Sequence, residues 1–174
     1  MNELDKNQDL LDMLLKDWQR ERPDLDPSSM EVVGRILYLG KKIEKQTSLA
    51  LREFGIYYTD LDVLATLRRV GDPYELSPTE LRKSVLITSG AMTALLDRLK
   101  KMGLLYRKTD PNDGRVSLAV LSEKGKNLID LAIKSRFESA ELVLSNLNPE
   151  EKKQLALHLK KLVLSLENQR GDTA

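Results

Sequence analysis

The stretch LSPTELRKSVLITSGAMTALLDRLKKMGLLYRKTDPNDGRVSLAVLSEKG, residues 76–125, holds two helix patterns, a polar turn and two strand patterns in unbroken succession. Ser77 can cap a helix, Pro78 suits its first position, and Glu80 three residues on completes a capping box. This predicts a helix over 77–85. After the three residues LIT, the segment 89–103 places Met92, Leu95, Leu96 and Leu99 on one helical face, and Gly103 closes it. Leu104 to Lys108 and Val116 to Leu121 read as strands. Between them "TDPNDGR" (109–115) is rich in residues that favour turns.

Two short helices joined by a tight turn and followed directly by a hairpin make a winged helix-turn-helix. The second helix of such a unit enters the major groove of double-stranded DNA. Small or polar residues near its start allow close approach, with cations further along. Thr88, Ser89, Ala91, Met92 and Thr93 are therefore expected nearest base edges, and Arg98 and Lys100 nearest phosphates. The hairpin tip falls over the neighbouring minor groove, whose narrow A·T stretches attract an inserted arginine. Arg115 is the candidate, with Asp113 expected to pair with it and hold it extended.

The charge distribution points the same way. The whole chain of 174 residues carries a net charge of only +1. Yet residues 78–115 hold eight Lys and Arg against four acids, while residues 1–30 hold eight acids against four bases. Basic charge concentrated in one segment is the electrostatic footprint of a nucleic-acid binder.

Working outward, residues 9–19 place Leu10, Leu11, Leu14, Leu15 and Trp18 on one helical face. Two prolines in residues 22–29 break the chain, and Ser28 or Ser29 is the expected cap of a long helix over about 30–54, closed by Gly55. The next helix covers YTDLDVLATLRRVG (58–71), with Thr59 and Asp62 as its capping pair and Gly71 at its end. "DPYEL" (72–76) has room for a brief edge strand. Ser122 starts a long helix running to about 147. Asn148, Pro149 and Glu151 open the last helix, to about 169. The expected class is mainly α, with a small β-hairpin.

Composition excludes several kinds of chemistry. With no cysteine, disulfides and thiolate nucleophiles are absent. The single histidine, His158, lies in a helical pattern, leaving little material for a metal cluster or a catalytic triad. No phosphate-binding loop or dinucleotide glycine fingerprint occurs. Neither enzyme activity, metal nor cofactor is expected. No apolar run approaches the roughly 18 residues of a membrane span, and the acidic N-terminus lacks an apolar signal core, so a cytoplasmic protein is expected.

Residues 61–126 resemble the DNA-binding core of the MarR family of regulators. The hairpin pattern Asp-Pro-x-Asp-x-Arg followed by Leu-Ser-x-x-Gly carries the likeness. The flanking helices match the family in order and length. The resemblance implies a homodimer whose N- and C-terminal helices interlock, reading a pseudo-palindromic operator with half-sites roughly 34–36 Å apart. Leu142, Leu144, Leu147, Leu155, Leu162, Val163 and Leu166 exceed what a lone helix pair buries, in keeping with a shared interface. Residues 1–58 and 122–174 would then serve dimerisation, with 59–121 the DNA-binding core. A repressor relieved by a small ligand is the implied function.

A finer resemblance is to the urate-responsive branch, which has an added first helix. Trp18 on that helix, Asp62 and Arg107 match its ligand-binding residues, and Arg107 also stands in the expected DNA-binding set. The branch's recognition-helix arginine is replaced by Leu95. An anion would lose a charge-assisted partner there, about 1.5–3 kcal/mol. Urate, another small anionic or aromatic effector, a more apolar one, or none remain as alternatives. The competing reading of the chain is a helical protein-interaction module that uses the winged fold without binding DNA.

Overall fold

The computed structural model describes residues 8–85, 89–111 and 113–171. The chain divides into two units, Met1–Tyr58 and Thr59–Ala174.

In the first unit, α1 (Leu10–Glu21) starts where Asp9 and Asp12 cap each other reciprocally. The Asp12 N–H donates to Asp9 at 3.0 Å and the Asp9 N–H donates to Asp12 at 2.9 Å. The helix α2 (Ser28–Leu51) follows. Its Arg35 donates from Nε to Asp9 at 2.8 Å and from Nη2 to Asp12 at 2.6 Å, so one guanidinium ties α1 to α2. Gly34 permits the approach: a Cβ there would meet Leu11 Cδ1 at 2.8 Å.

The start of α2 departs from expectation. Neither Ser28 nor Ser29 caps it; both lie inside the helix. The Asp26 carboxylate accepts from the Ser28 N–H at 3.0 Å and its hydroxyl at 2.9 Å, since a carboxylate two residues upstream is the stronger acceptor. The far end tightens into a 3-10 turn, Arg52–Phe54, closed by Gly55 at φ 66°.

The second unit begins with α3 (Tyr58–Arg69), whose first turn holds Asp60. The helix thus starts at the expected Tyr58, but Thr59 lies inside its first turn rather than capping it, and Asp62 falls beyond the capping position. Next come β1 (Glu75–Leu76), α4 (Pro78–Ser84), α5 (Ser89–Lys101), β2 (Leu105–Thr109), β3 (Ser117–Leu121), α6 (Glu123–Val143) and α7 (Pro149–Gly171). The three strands form an antiparallel sheet in the order β1-β3-β2, with Tyr106 opposite Val120 and Arg107 opposite Ala119.

Leu61, Leu64 and Leu67 of α3 are buried, as are Leu81 of α4 and Met92, Leu96 and Leu99 of α5. Leu105 of β2 and Leu118, Ala119, Val120 and Leu121 of β3 join them, with Ile129 and Ala132 of α6. Each leucine so enclosed contributes about 2 kcal/mol through removal from water.

The Leu-Ser-x-x-Gly pattern has a mechanical origin. Ser122 Oγ donates to the Gly103 carbonyl at 2.7 Å and accepts from the Gly125 N–H at 3.0 Å, so one hydroxyl caps α6 and holds it against the end of α5. A Cβ on Gly125 would stand 2.0 Å from the Leu104 oxygen, so only glycine fits. The helix α6 ends at Val143, short of the expected 147. Asn148 and Glu151 then cap α7 reciprocally, at 3.0 and 2.8 Å. Among the described residues no helix is long and apolar enough to cross a membrane.

Candidate nucleic-acid interface

Ser77 fixes the start of α4. Its hydroxyl accepts from the Glu80 N–H at 3.2 Å, and the Glu80 carboxylate accepts the Ser77 N–H at 2.8 Å. Those hydrogen bonds from Ser77 hold the Glu80 carboxyl below the usual carboxylate range. With α4 so anchored, Leu81 is buried while Arg82 and Lys83 stay exposed.

The burial of α5 divides it into two stripes. Met92, Leu95, Leu96 and Leu99 face the core. Gly90, Ala91, Thr93, Ala94, Asp97, Lys100 and Lys101 are exposed. The first half of that outer stripe carries only small side chains, which lets a groove come close to the backbone. Ala94 and Asp97 were missed by the sequence reading. The spacing 90, 93/94, 97, 100/101, complementary to the leucine stripe, was the available signal.

Beside α5, the hairpin turns over at Asp110 to Val116. The Asp110 N–H donates to the Val116 carbonyl and the Val116 N–H to the Asp113 carbonyl, both at 2.9 Å. Asp113 Oδ1 accepts from the Arg115 N–H and Nε, each at 3.0 Å, and Oδ2 accepts from Nη2 at 3.2 Å. Arg115 nevertheless keeps 92% of its side chain exposed, so the paired guanidinium is displayed rather than hidden. The Arg115 hydrogen bonds hold the Asp113 carboxyl below its ordinary value.

Several expected contacts need correction. Met92, expected near base edges, is 1% exposed: the apolar period turns it inward, so it supports the helix from behind. Arg98, expected at phosphates, pairs with Asp60 of α3, whose side chain is fully buried. Arg107 is mostly covered, with its guanidinium 3.9 Å from Asp97 of α5. Lys108, counted in the basic segment, bonds Glu75 at 3.0 Å. Arg82, Lys83, Lys100 and Lys101 are exposed and in no ion pair among the described residues. Thr88 and Asn112 lie outside the described residues, and Ser89 begins α5.

Trp18 belongs to the first unit, where it lines a cleft of about 460 Å³ with Leu15, Gln19, Leu25, Asp26, Pro27 and Met30. Asp62 and Arg107 belong to the second. Asp62 is half-buried, and that burial pushes its carboxyl up, against the weaker opposing pull of Arg69 and Arg136. Leu95, where the urate-responsive pattern has arginine, is 7% exposed.

Comparison with known proteins finds a match to the MarR family model over residues 54–116. The chain is 31% identical over 157 residues to the HTH-type transcriptional regulator PecS of Dickeya dadantii, covering 90% of this chain and 95% of that relative. Wild-type MarR from E. coli, in its apo form, superposes with TM-score 0.64 at 27% identity, over 74% of this chain and 94% of its own. A MarR family transcriptional regulator from Streptomyces coelicolor, solved in complex with DNA, shares the fold with TM-score 0.73. Its identity is 22%, over 82% of this chain and 89% of that one.

Proposed function

The chain belongs to the MarR family of transcriptional regulators, and from that premise we propose how it binds DNA and what governs the binding. It acts as a homodimer on a pseudo-palindromic operator and represses until a small ligand releases it. Residues 1–58 and 122–174 serve the dimer, and 59–121 the DNA. Ala91, Thr93 and their exposed neighbour Ala94 approach base edges, as does Ser89 at the helix start, and Thr88 keeps the base-edge role expected of it. Lys100 and Lys101 take phosphates, and Arg115 enters the minor groove. The observation that carries this reading is the wing: Asp113 holds Arg115 extended, with 92% of its side chain exposed, beside a recognition helix whose outer face is small and then basic. An unanchored arginine loses more rotamer freedom on insertion, so this pairing lowers the entropic cost of contact.

Exposed leucines support the dimer. Leu155, Leu159, Leu162 and Leu166 recur along one face of α7 and all remain open to solvent in the single chain. A face of that kind is stable only when covered.

For the effector we retain Trp18, Asp62 and Arg107, as the likeness to the urate-responsive branch suggests, with α1 as its added helix. Leu95, buried on the core side of α5, leaves no cation in the place of the branch's recognition-helix arginine. That favours a more apolar aromatic effector over urate. The ligand shifts the protein toward a dimer that no longer matches its operator, to the extent of its differential affinity for the two states.

A footprint on the DNA upstream of the gene tests the proposal. The expected result is two protected half-sites about one helical turn apart. A single short footprint would count against the dimer, and no footprint, with a partner protein bound instead, would favour the interaction-module reading.

A further inference from the structure

We propose that Asp60 is a positioning residue for the recognition helix, acting through Arg98, and that Arg98 does not contact phosphate. This rests on the reading of α5 as the helix that reads DNA. Asp60 lies in the first turn of α3 with its carboxylate fully buried, and Arg98 of α5 reaches it from 38 residues away in sequence. A buried carboxylate keeps its charge only with a cation and hydrogen bonds close by. Handing Arg98 to a phosphate would take that cation from Asp60, so Arg98 is the basic residue of α5 least able to leave.

The neighbouring residue makes a second tie. Asp97 stands 3.9 Å from Arg107 of β2, so consecutive residues of α5 lean on the scaffold helix and on the wing. The leucine stripe of α5 supplies burial, which is non-directional. An ion pair is directional, and rotation of α5 would pull the guanidinium away from a carboxylate that has nowhere to move. Asp60 and Arg98 thus set which face of α5 points outward, and with it the sequence the helix reads. Arg98 acts on specificity, and the exposed Lys100 and Lys101 on general affinity.

The test uses the full chain and measures binding to the upstream operator duplex and to a scrambled duplex across a salt series. The variants are Arg98→Gln, Asp60→Asn and both together, each with its melting temperature recorded. A positioning role predicts that either single variant loses at least about tenfold in operator affinity. The double variant loses no more than either single one, because both changes break the same tie. Binding to the scrambled duplex changes less than about twofold, and the salt slope holds. If Arg98→Gln instead flattens the slope by about one, Arg98 is a phosphate ligand and the proposal fails.

Should a single variant unfold, Asp60→Leu combined with Arg98→Met replaces the pair by apolar groups of similar size and restores folding. If that variant folds and still discriminates poorly, the pair positions the helix. If it recovers full discrimination, the pair is only a strut and the inference is overturned. A wild-type chain that prefers no duplex sinks the regulator reading itself and this role with it, an outcome visible before any variant is made.

Discussion

Asp113 and Arg115 are joined at the wing tip by three hydrogen bonds of 3.0, 3.0 and 3.2 Å, yet the arginine keeps 92% of its side chain exposed. A surface pair of this sort adds little to stability. Its consequence is geometric: it aims a cation away from the protein. Arg115→Ala is expected to weaken operator binding about tenfold or more and to lower the salt slope by about one, as for a lost contact to the DNA backbone or minor groove. Asp113→Asn, which keeps the cation but loosens it, should cost less and leave the slope in place. Anisotropy of a labelled duplex measures both.

Gly125 and Leu104 give a stability prediction. With a Cβ placed 2.0 Å from a backbone oxygen, α6 must move off the end of α5. Gly125→Ala should destabilise the chain by about 2 kcal/mol or more, measured by urea denaturation. An unchanged midpoint would mean that α6 can shift freely.

The cap of α4 carries a pH dependence. Ser77→Ala should cost about 1 kcal/mol. The Glu80 carboxyl is depressed chiefly by its hydrogen bonds from Ser77. A native value below the unfolded one means that the contribution is whole above the unfolded value and fades as pH falls through the native one. Asp62 works in the opposite sense. Burial raises its native value, so the folded chain holds that proton longer, and stability falls as pH rises from the unfolded value to the native one. Asp62→Asn should therefore raise the melting temperature slightly at neutral pH, with the gain vanishing in acid.

How far the sequence could be read depended on whether a signal was local. The Ser77–Glu80 and Asn148–Glu151 caps lie within four residues, and both were legible. The wing pair Asp113–Arg115 was legible for the same reason. The roles of the acids in α3 were not: Asp60 and Asp62 look alike locally, and a partner in α5 distinguishes them. The pairing of Arg98 was hidden on the same ground, since the leucine period shows which side of α5 is buried. It does not show that a cation at the border turns inward to a distant acid. Met92 was placed outward despite its own period, because small neighbours at the helix start drew the whole segment toward DNA. Gly125 was visible as a motif, but the carbonyl that demands it emerges only when α6 meets α5.

The dimer has its own test. Leu162 and Leu166 of α7 are 45% and 62% exposed in the single chain. Replacing both with glutamate should weaken self-association by at least about thirtyfold, from roughly 2 kcal/mol for an interface leucine. Sedimentation over a concentration series measures it, and a fall in operator affinity should accompany it.

The most direct single measurement is anisotropy of a labelled duplex from the region upstream of the gene, titrated with protein at several salt concentrations against a scrambled control. The account predicts preference for the upstream duplex and a steep linear loss of log affinity with log salt, about 0.9 per phosphate neutralised. Equal, salt-insensitive binding to both duplexes would contradict it.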